Sequence, residues 1–374
     1  MTSLASRNDR WWLRMGGPAL LGAAIAAVLV VALGSTGRAD TATKALEKYQ
    51  KPSDAAVDRA LAFLAKTQQK NGCWSTNPSD LSPRNGNAIA SLCLMAFLAK
   101  GHTPGVGPYG DVLNRGIDFV LGSQKPNGLL TTGMEANGPM YSHCTSTLML
   151  SEVSGMVDPA RQRKIDQVLP KAIKVILSAQ QIPKGPNDAG GWRYQIDSRD
   201  SDISCTGWAL MALRSVRNNG ATVPKEVIDR GIAYVLKNHR FDDGGFSYQP
   251  NGTSGWGRTG TAVLCLELCG HHRDRPALMG GEWILRHLPR AYGQGEYFGY
   301  AMYYCSQATF QLGDEYWETF ATRMYEILLN SQQADGSWAS AGGGEGEGGG
   351  RFYPTAMAVL ALSVPYRQLP IYQR

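Results

Sequence analysis

Charge is scarce in this 374-residue chain: Asp, Glu, Lys and Arg make up 18% of it, and the formal net charge is +6. The excess is spread along the sequence, with no basic run to line a nucleic-acid groove, so DNA or RNA binding is excluded as a main role. Cysteine is also sparse, at 73, 93, 144, 205, 265, 269 and 305. Most of the seven lie inside apolar runs such as SLCLMAF and VLCLELC, where Cys acts as a small core residue. One disulfide is open to them, but a disulfide framework is not indicated. No Ser-His-Asp arrangement has local support. The glycine run AGGGEGEGGG, 341–350, matches phosphate-loop spacing by chance. No strand precedes it, and Glu345 and Glu347 would repel phosphate, so it reads as a flexible loop. Nucleotide cofactors are not expected.

Long apolar runs are missing as well, with one exception. Residues 16–35, GGPALLGAAIAAVLVVALGS, carry no charge. As a helix they would rise about 30 Å, the thickness of a bilayer core. Arg7, Arg10 and Arg14 precede the run, and Trp11 and Trp12 suit a headgroup interface. The positive-inside bias then keeps the amino end cytoplasmic and exports the rest. A cleaved signal peptide is the competing reading, with Gly37-Arg38-Ala39 as a small-x-small site. The division expected is 1–40 as stub and transmembrane or signal anchor, and 41–374 as one folded domain outside the cytosol.

What the chain has in quantity is self-similarity. DRALAFLAKTQQ from 58 is echoed by NRGIDFVLGSQK from 114, PKAIKVILSAQQ from 170 and DRGIAYVLKNHR from 229. MGGEWILRHLPR from 279 and TRMYEILLNSQQ from 322 complete six copies. A small residue holds the third position in five of them: Ala60, Gly116, Ala172, Gly231 and Gly281. Gln ends four: Gln68, Gln124, Gln180 and Gln332. A glycine turn follows, usually with an aromatic behind it: NGCW at 71–74, AGGWRY at 189–194, DGGFSY at 243–248, DGSW at 335–338. A second apolar helix closes each unit, for example SCTGWALMALRSV or TAMAVLALSV. Helix pairs of this kind bury their apolar faces only by stacking on neighbours. The pattern predicts an all-α fold, an α/α toroid of six helix pairs, (α/α)6, with one helix of each pair inside and one outside. An open solenoid is the alternative.

The Gln…Gly-x-(Trp/Phe) repeats resemble those of squalene and oxidosqualene cyclases and, in weaker form, of protein prenyltransferase β subunits. The resemblance spans roughly residues 55–367, and it supplies one toroid where the triterpene cyclases have two. It implies an apolar, isoprenoid-like ligand in a central cavity. The segment GGWRYQIDSRDSDISCTGWALMAL, 190–213, is similar to the cyclase stretch ending in Asp-x-Asp-Asp-Thr. Asp200 falls on the first Asp and Asp202 on the central, proton-donating one, while Ile203 and Ser204 replace the last Asp and the Thr. The resemblance therefore implies Asp202 as acid, paired with Asp200. A buried carboxyl beside a second one is the physical requirement for that role. Cation-stabilising, substrate-binding aromatics would be Trp208, Trp256, Tyr297, Phe298, Tyr300, Phe352 and Tyr353, all at or near starts of inner-type helices. The plainer reading is that Asp202 or Ser204 is an N-cap and Asp200 is solvated.

The same resemblance raises zinc. Prenyltransferases bind it with an Asp-x-Cys pair and a His at the start of the last inner helix, but here Pro354 stands at that place. A relocated set of His143, Cys144, Asp202 and Cys205 matches no standard spacing. Cys265, Cys269, His271 and His272 read as core positions and a polar helix end. No metal is expected. The function expected is a membrane-anchored cyclase-like toroid, acting as an acid-initiated isomerase on an isoprenoid. The competing expectation is a non-catalytic ligand-binding or scaffold toroid, with zinc-dependent prenyl transfer as a weaker third.

Overall fold

The computed structural model describes residues 43–77, 83–135, 137–342 and 349–373. The apolar run at 16–35 and the centre of the glycine run, 343–348, lie outside them. Among the described residues no helix is long and apolar enough to cross a membrane. Asp40–Arg374 form one compact unit.

Twelve α-helices run through the described residues. The odd-numbered ones carry the first member of each repeat: α1 Thr43–Thr67, α3 Gly110–Gly122, α5 Pro159–Gln181, α7 Lys225–Lys237, α9 Arg275–Arg286 and α11 Asp314–Ser331. The even-numbered ones carry the apolar second member: α2 Gly86–Ala99, α4 Met140–Glu152, α6 Ile203–Asn218, α8 Trp256–Leu268, α10 Phe298–Leu312 and α12 Phe352–Leu362. Among the described residues only isolated bridges take the place of strands. Helix α2 packs on α4, α4 on α6, α6 on α8, α8 on α10 and α10 on α12. Helix α12 returns to α2, and α11 lies against α1, so the ring is closed. Closure separates the toroid from the solenoid. The even helices are buried nearly all round, as inner helices sheathed by an outer layer must be.

The repeat residues hold the units together. The Gln180 amide nitrogen donates to the carbonyls of Gly190 and, on the next outer helix, Val227, at 2.8 and 2.9 Å. Its carbonyl accepts from Arg230. Gln68 clasps Gly72, Val112 and Arg115 in the same way, and Gln332 clasps Gly336, Ala56 and Arg59. Gln124 keeps the two carbonyls, Gly128 and Val168. The clasped glycines are irreplaceable for two reasons. Gly72 and Gly190 have φ of +91° and +99°, and a Cβ on them would stand 2.1 and 2.3 Å from the carbonyl oxygens of Arg115 and Arg230. The aromatics behind the turns plug inward, with the indole N–H of Trp74, Trp192 and Trp338 donating to Leu64, Ile176 and Leu328 carbonyls. Substituting Gln180 by alanine strands two buried carbonyls and an arginine. A loss of about 1–3 kcal/mol in urea unfolding is expected.

Candidate binding site at the mouth of the ring

The inner helices start at one end of the ring. The backbone N–H of Met140 at the head of α4 donates to the Tyr194 carbonyl, and Ile203 at the head of α6 donates to Tyr248. Tyr141 on α4 shares a hydrogen bond with Ser204 on α6, and Tyr300 on α10 shares one with Thr261 on α8 at 2.6 Å. This mouth is where the aspartates fall.

Asp202 is the N-cap of α6 and is completely buried. Its Oδ1 accepts from the backbone N–H groups of Ser204 and Cys205, both at 2.8 Å, and from the Ser204 hydroxyl at 2.6 Å. Its Oδ2 accepts from Arg193 Nη1 at 3.1 Å. Burial pushes the Asp202 carboxyl above its ordinary range, while the Ser204 and Cys205 hydrogen bonds and the Arg193 charge pull it back. Arg193 is lowered by burial but raised on balance by Asp202, then by Tyr248, Tyr194 and Asp200. Four acceptor contacts, one of them an ion pair, are what a carboxylate makes, so the geometry around Asp202 is that of a charged cap.

Asp200 does not pair with Asp202. Its side chain is half exposed, and its Oδ2 lies 3.1 Å from Arg193 Nε, on the other side of the guanidinium. One arginine thus separates the two acids expected to share a proton. The same guanidinium lies over the rings of Tyr194 and Tyr248, 4.4 and 5.4 Å from their centroids. Those two tyrosines join hydroxyls, and Arg193 Nη1 donates to the Tyr248 oxygen at 3.1 Å. The result is a connected mouth: Tyr141, Ser204, Asp202, Arg193, Tyr248, Tyr194. Arg193 and the three tyrosines escape a search for acidic motifs. A signal for two of them is in the repeat itself, since Trp192-Arg193-Tyr194 and Phe246-Ser247-Tyr248 place a Tyr two residues behind successive turn aromatics.

The seven aromatics expected to line one cavity are distributed over several places. Trp208 of α6 stacks on Tyr303 of α10, centroids 5.9 Å apart and planes at 12°. Helix α8 lies between those two in the ring, so the stack crosses the interior. Tyr300 faces the mouth, half-buried. Phe298 instead packs on Trp256 at 6.2 Å, and Trp256 reaches Phe320 on the outer helix α11, so both belong to the wall. Phe352 stacks on Phe63 of outer α1, and Tyr353 packs half-buried against the core. Tyr297 is 51% exposed. The cause is helical geometry: Phe298 and Tyr300 are two residues apart, so their side chains leave the helix on nearly opposite sides.

The far end of the ring is stoppered. After α12, two short 3₁₀ turns, Val364–Tyr366 and Pro370–Tyr372, carry the chain back against α6. Leu369, Ile371 and Tyr372 are buried. The Ile371 N–H donates to Glu152 Oε2 at 3.1 Å, Ser215 donates to Glu152 Oε1, and Tyr372 joins hydroxyls with Tyr303. The tail therefore sits directly beneath the Trp208–Tyr303 stack.

The residues considered for zinc are otherwise engaged. His143 Nδ1 accepts from the Leu130 N–H, and its other nitrogen meets the Ala172 carbonyl, each at 3.0 Å. Burial holds its pKa down to about 4, a neutral core histidine. Burial raises the thiols of Cys144 and Cys205, and Asp202 is spent on its cap. His271 and His272 turn to Asp274 and Glu267, away from Cys265 and Cys269. Among the described residues no group of three or more ligating side chains gathers.

A closed ring of six helix pairs, clasped by repeated Gln and aromatic residues, defines the class of fold, and the sequence matches the prenyltransferase α-α toroid domain over residues 40–295 and 293–370. The chain belongs to that family. Similar folds include a type II terpene cyclase, MstE from Scytonema, in complex with merosterolic acid A: 15% identity, 87% of this chain, all of that one, TM-score 0.54. A family 76 glycoside hydrolase from a bovine Bacteroides thetaiotaomicron strain is 9% identical over 84% of this chain and 77% of that one, TM-score 0.62. Candida albicans protein geranylgeranyltransferase-I complexed with GGPP is 14% identical over 85% and 95%, TM-score 0.50. No curated protein matches the sequence.

Proposed function

We propose that the protein is a binding toroid that receives an apolar, isoprenoid-like group at its tyrosine-rimmed mouth without transforming it. The observation that carries this reading is Asp202: its oxygens accept three hydrogen bonds and an arginine, which leaves no proton poised for an alkene. Stacked aromatics and the tail occupy the interior where a folded polyene would lie. The half-buried faces of Tyr141, Tyr194, Tyr248 and Tyr300 offer apolar contact with polar tips turned to their own partners. Isoprenoid compounds are held in related folds: MstE has been seen with geranylgeranyl dihydroxybenzoate, and the geranylgeranyltransferase with GGPP. Residues 16–35 would tether the toroid to a bilayer and hold it outside the cytosol.

One observation favours a second reading. Burial does lift the Asp202 carboxyl, and the sequence around Asp202 resembles the cyclase stretch that carries the acid. Acid-initiated cyclisation, with Asp202 as donor and Asp200 beside Arg193, is that alternative.

A photoreactive geranylgeranyl ether incubated with the full chain in lipid nanodiscs separates them. Adducts mapped by mass spectrometry to the mouth tyrosines, competed by geranylgeraniol recovered intact, are expected. Adducts confined to lipid-facing segments would reject binding at the mouth. Cyclic products that vanish in Asp202→Asn would establish the cyclase.

A further inference from the structure

Two seams lack the Gln of the clasp, Pro289 replacing it in the fifth repeat, but only the joint of the fourth and fifth repeats has lost both partners. At the register of Gln68, Gln124, Gln180 and Gln332 the fourth repeat has His239, and at the register of Arg59, Arg115 and Arg230 the fifth has Gly280. The wall opens there. A cavity of about 300 Å³ is lined by Asn238, His239, Arg240, Phe241 and Ser247, among others. A second, of about 530 Å³, lies on the other side of Phe241, against Met279, Trp283 and His287. Phe241 is 81% exposed, the most exposed large apolar side chain among the described residues.

Most charged groups around Phe241 are already engaged. Arg240 pairs with Asp242, Lys237 donates to the Pro186 and Ala189 carbonyls, and Arg286 donates to the Asp243 carbonyl. Asp243 Oδ1 accepts from Gly245 and Ser254. The uncommitted buried groups are neutral. Both ring nitrogens of His239, which is only 7% exposed, and the Asn238 Oδ1 have no hydrogen-bond partner. Burial lowers the His239 pKa, which keeps the ring neutral, one nitrogen a donor and one an acceptor. Its ring meets Phe241 edge-on at 4.7 Å.

We propose that this seam is a binding site for a neutral sugar residue, stacked by its C–H face on Phe241 with hydroxyls directed to His239 and Asn238. An anionic ligand would have to draw Lys237 and Arg286 from the carbonyls they already bond, or Arg240 from Asp242. An apolar ligand would leave the His239 and Asn238 atoms unsatisfied. A hydroxyl donates and accepts at once, so it suits either tautomer of His239, and a pyranose supplies several on a rigid ring small enough for the smaller cavity. The site is on the outer wall and independent of the mouth.

The test is titration of the full chain in nanodiscs with maltotriose, cellotriose, chitotriose and mannotriose, followed by saturation-transfer NMR. One of them should bind with a Kd on the order of 1 mM, ordinary for a shallow site. Phe241→Ala, a surface change, should weaken it at least about tenfold. His239→Gln restores the residue of four other seams and should abolish binding while leaving thermal unfolding unchanged or raised. No sugar binding at about ten times that concentration overturns the proposal. So does binding that survives either substitution, or a glutamine-containing peptide binding at Phe241 in place of every sugar.

Discussion

Asp202→Ala is expected to cost the fold about 2–4 kcal/mol, because it removes the N-cap of α6 and one partner of a buried charge pair together. The cost stays below that of stranding a fully buried ion, since Arg193 keeps Asp200. Asp202→Asn should cost less. Its amide oxygen can still accept from Ser204 and Cys205, but its nitrogen would face the guanidinium. Chemical unfolding of the purified protein measures both. An alanine variant as stable as the parent would mean that the cap and the ion pair contribute nothing, and the structural reading of Asp202 would go with them.

The second large effect is at the stopper. Burial pushes Glu152 from the ordinary 4.5 up to about 7, against the pull of Ser215 and the Ile371 N–H. In the unfolded chain the carboxyl ionises near its ordinary value, so between about pH 4.5 and 7 the folded state holds a proton that the unfolded state has lost. Stability therefore falls as pH rises through that window and levels off above it. Glu152→Gln has no proton to lose. It should match the parent below pH 4.5 and exceed it above pH 7, by as much as about 3 kcal/mol. The protection factor of the Ile371 amide, its exchange rate divided into the intrinsic base-catalysed rate, gives a local reading: lower in the parent at pH 8 than at pH 5, and flat in the variant. An Ile371 amide equally protected at both values would show that Glu152 does not govern the tail.

The toroid could be read from the sequence because it is written six times, in residues whose work is local. Gln180, Gly190 and Trp192 lie within one repeat and touch the next, so their spacing carries the geometry with it. The mouth was half legible. Asp202 could be found from its place before an apolar helix, but Arg193 looked like any polar loop residue. Its role depends on Tyr194 and Tyr248, the second contributed by the following repeat. The aromatic lining was overestimated for a related reason: position near a helix start does not fix azimuth, which sends Phe298 into the wall and Tyr300 to the mouth. The stopper was invisible. Residues 364–373 follow the last repeat, and nothing local to Ile371 or Tyr372 announces Glu152 and Tyr303, some 219 and 69 residues earlier.

The clasp between Gln332 and Arg59 has a consequence for how the molecule comes into being. Helix α1 is synthesised first, yet its partner in the ring, α11, is among the last to emerge, and until then both flanks of the growing arc are bare. A partial arc of stacked pairs can form early, since each pair leans on its predecessor. The final joint spans 273 residues of sequence, so it must wait for nearly the whole chain. In a crowded compartment that interval is when one copy's open flank can capture another's. A chaperone that shields α1 until α11 and α12 arrive would favour closed rings over swapped ones.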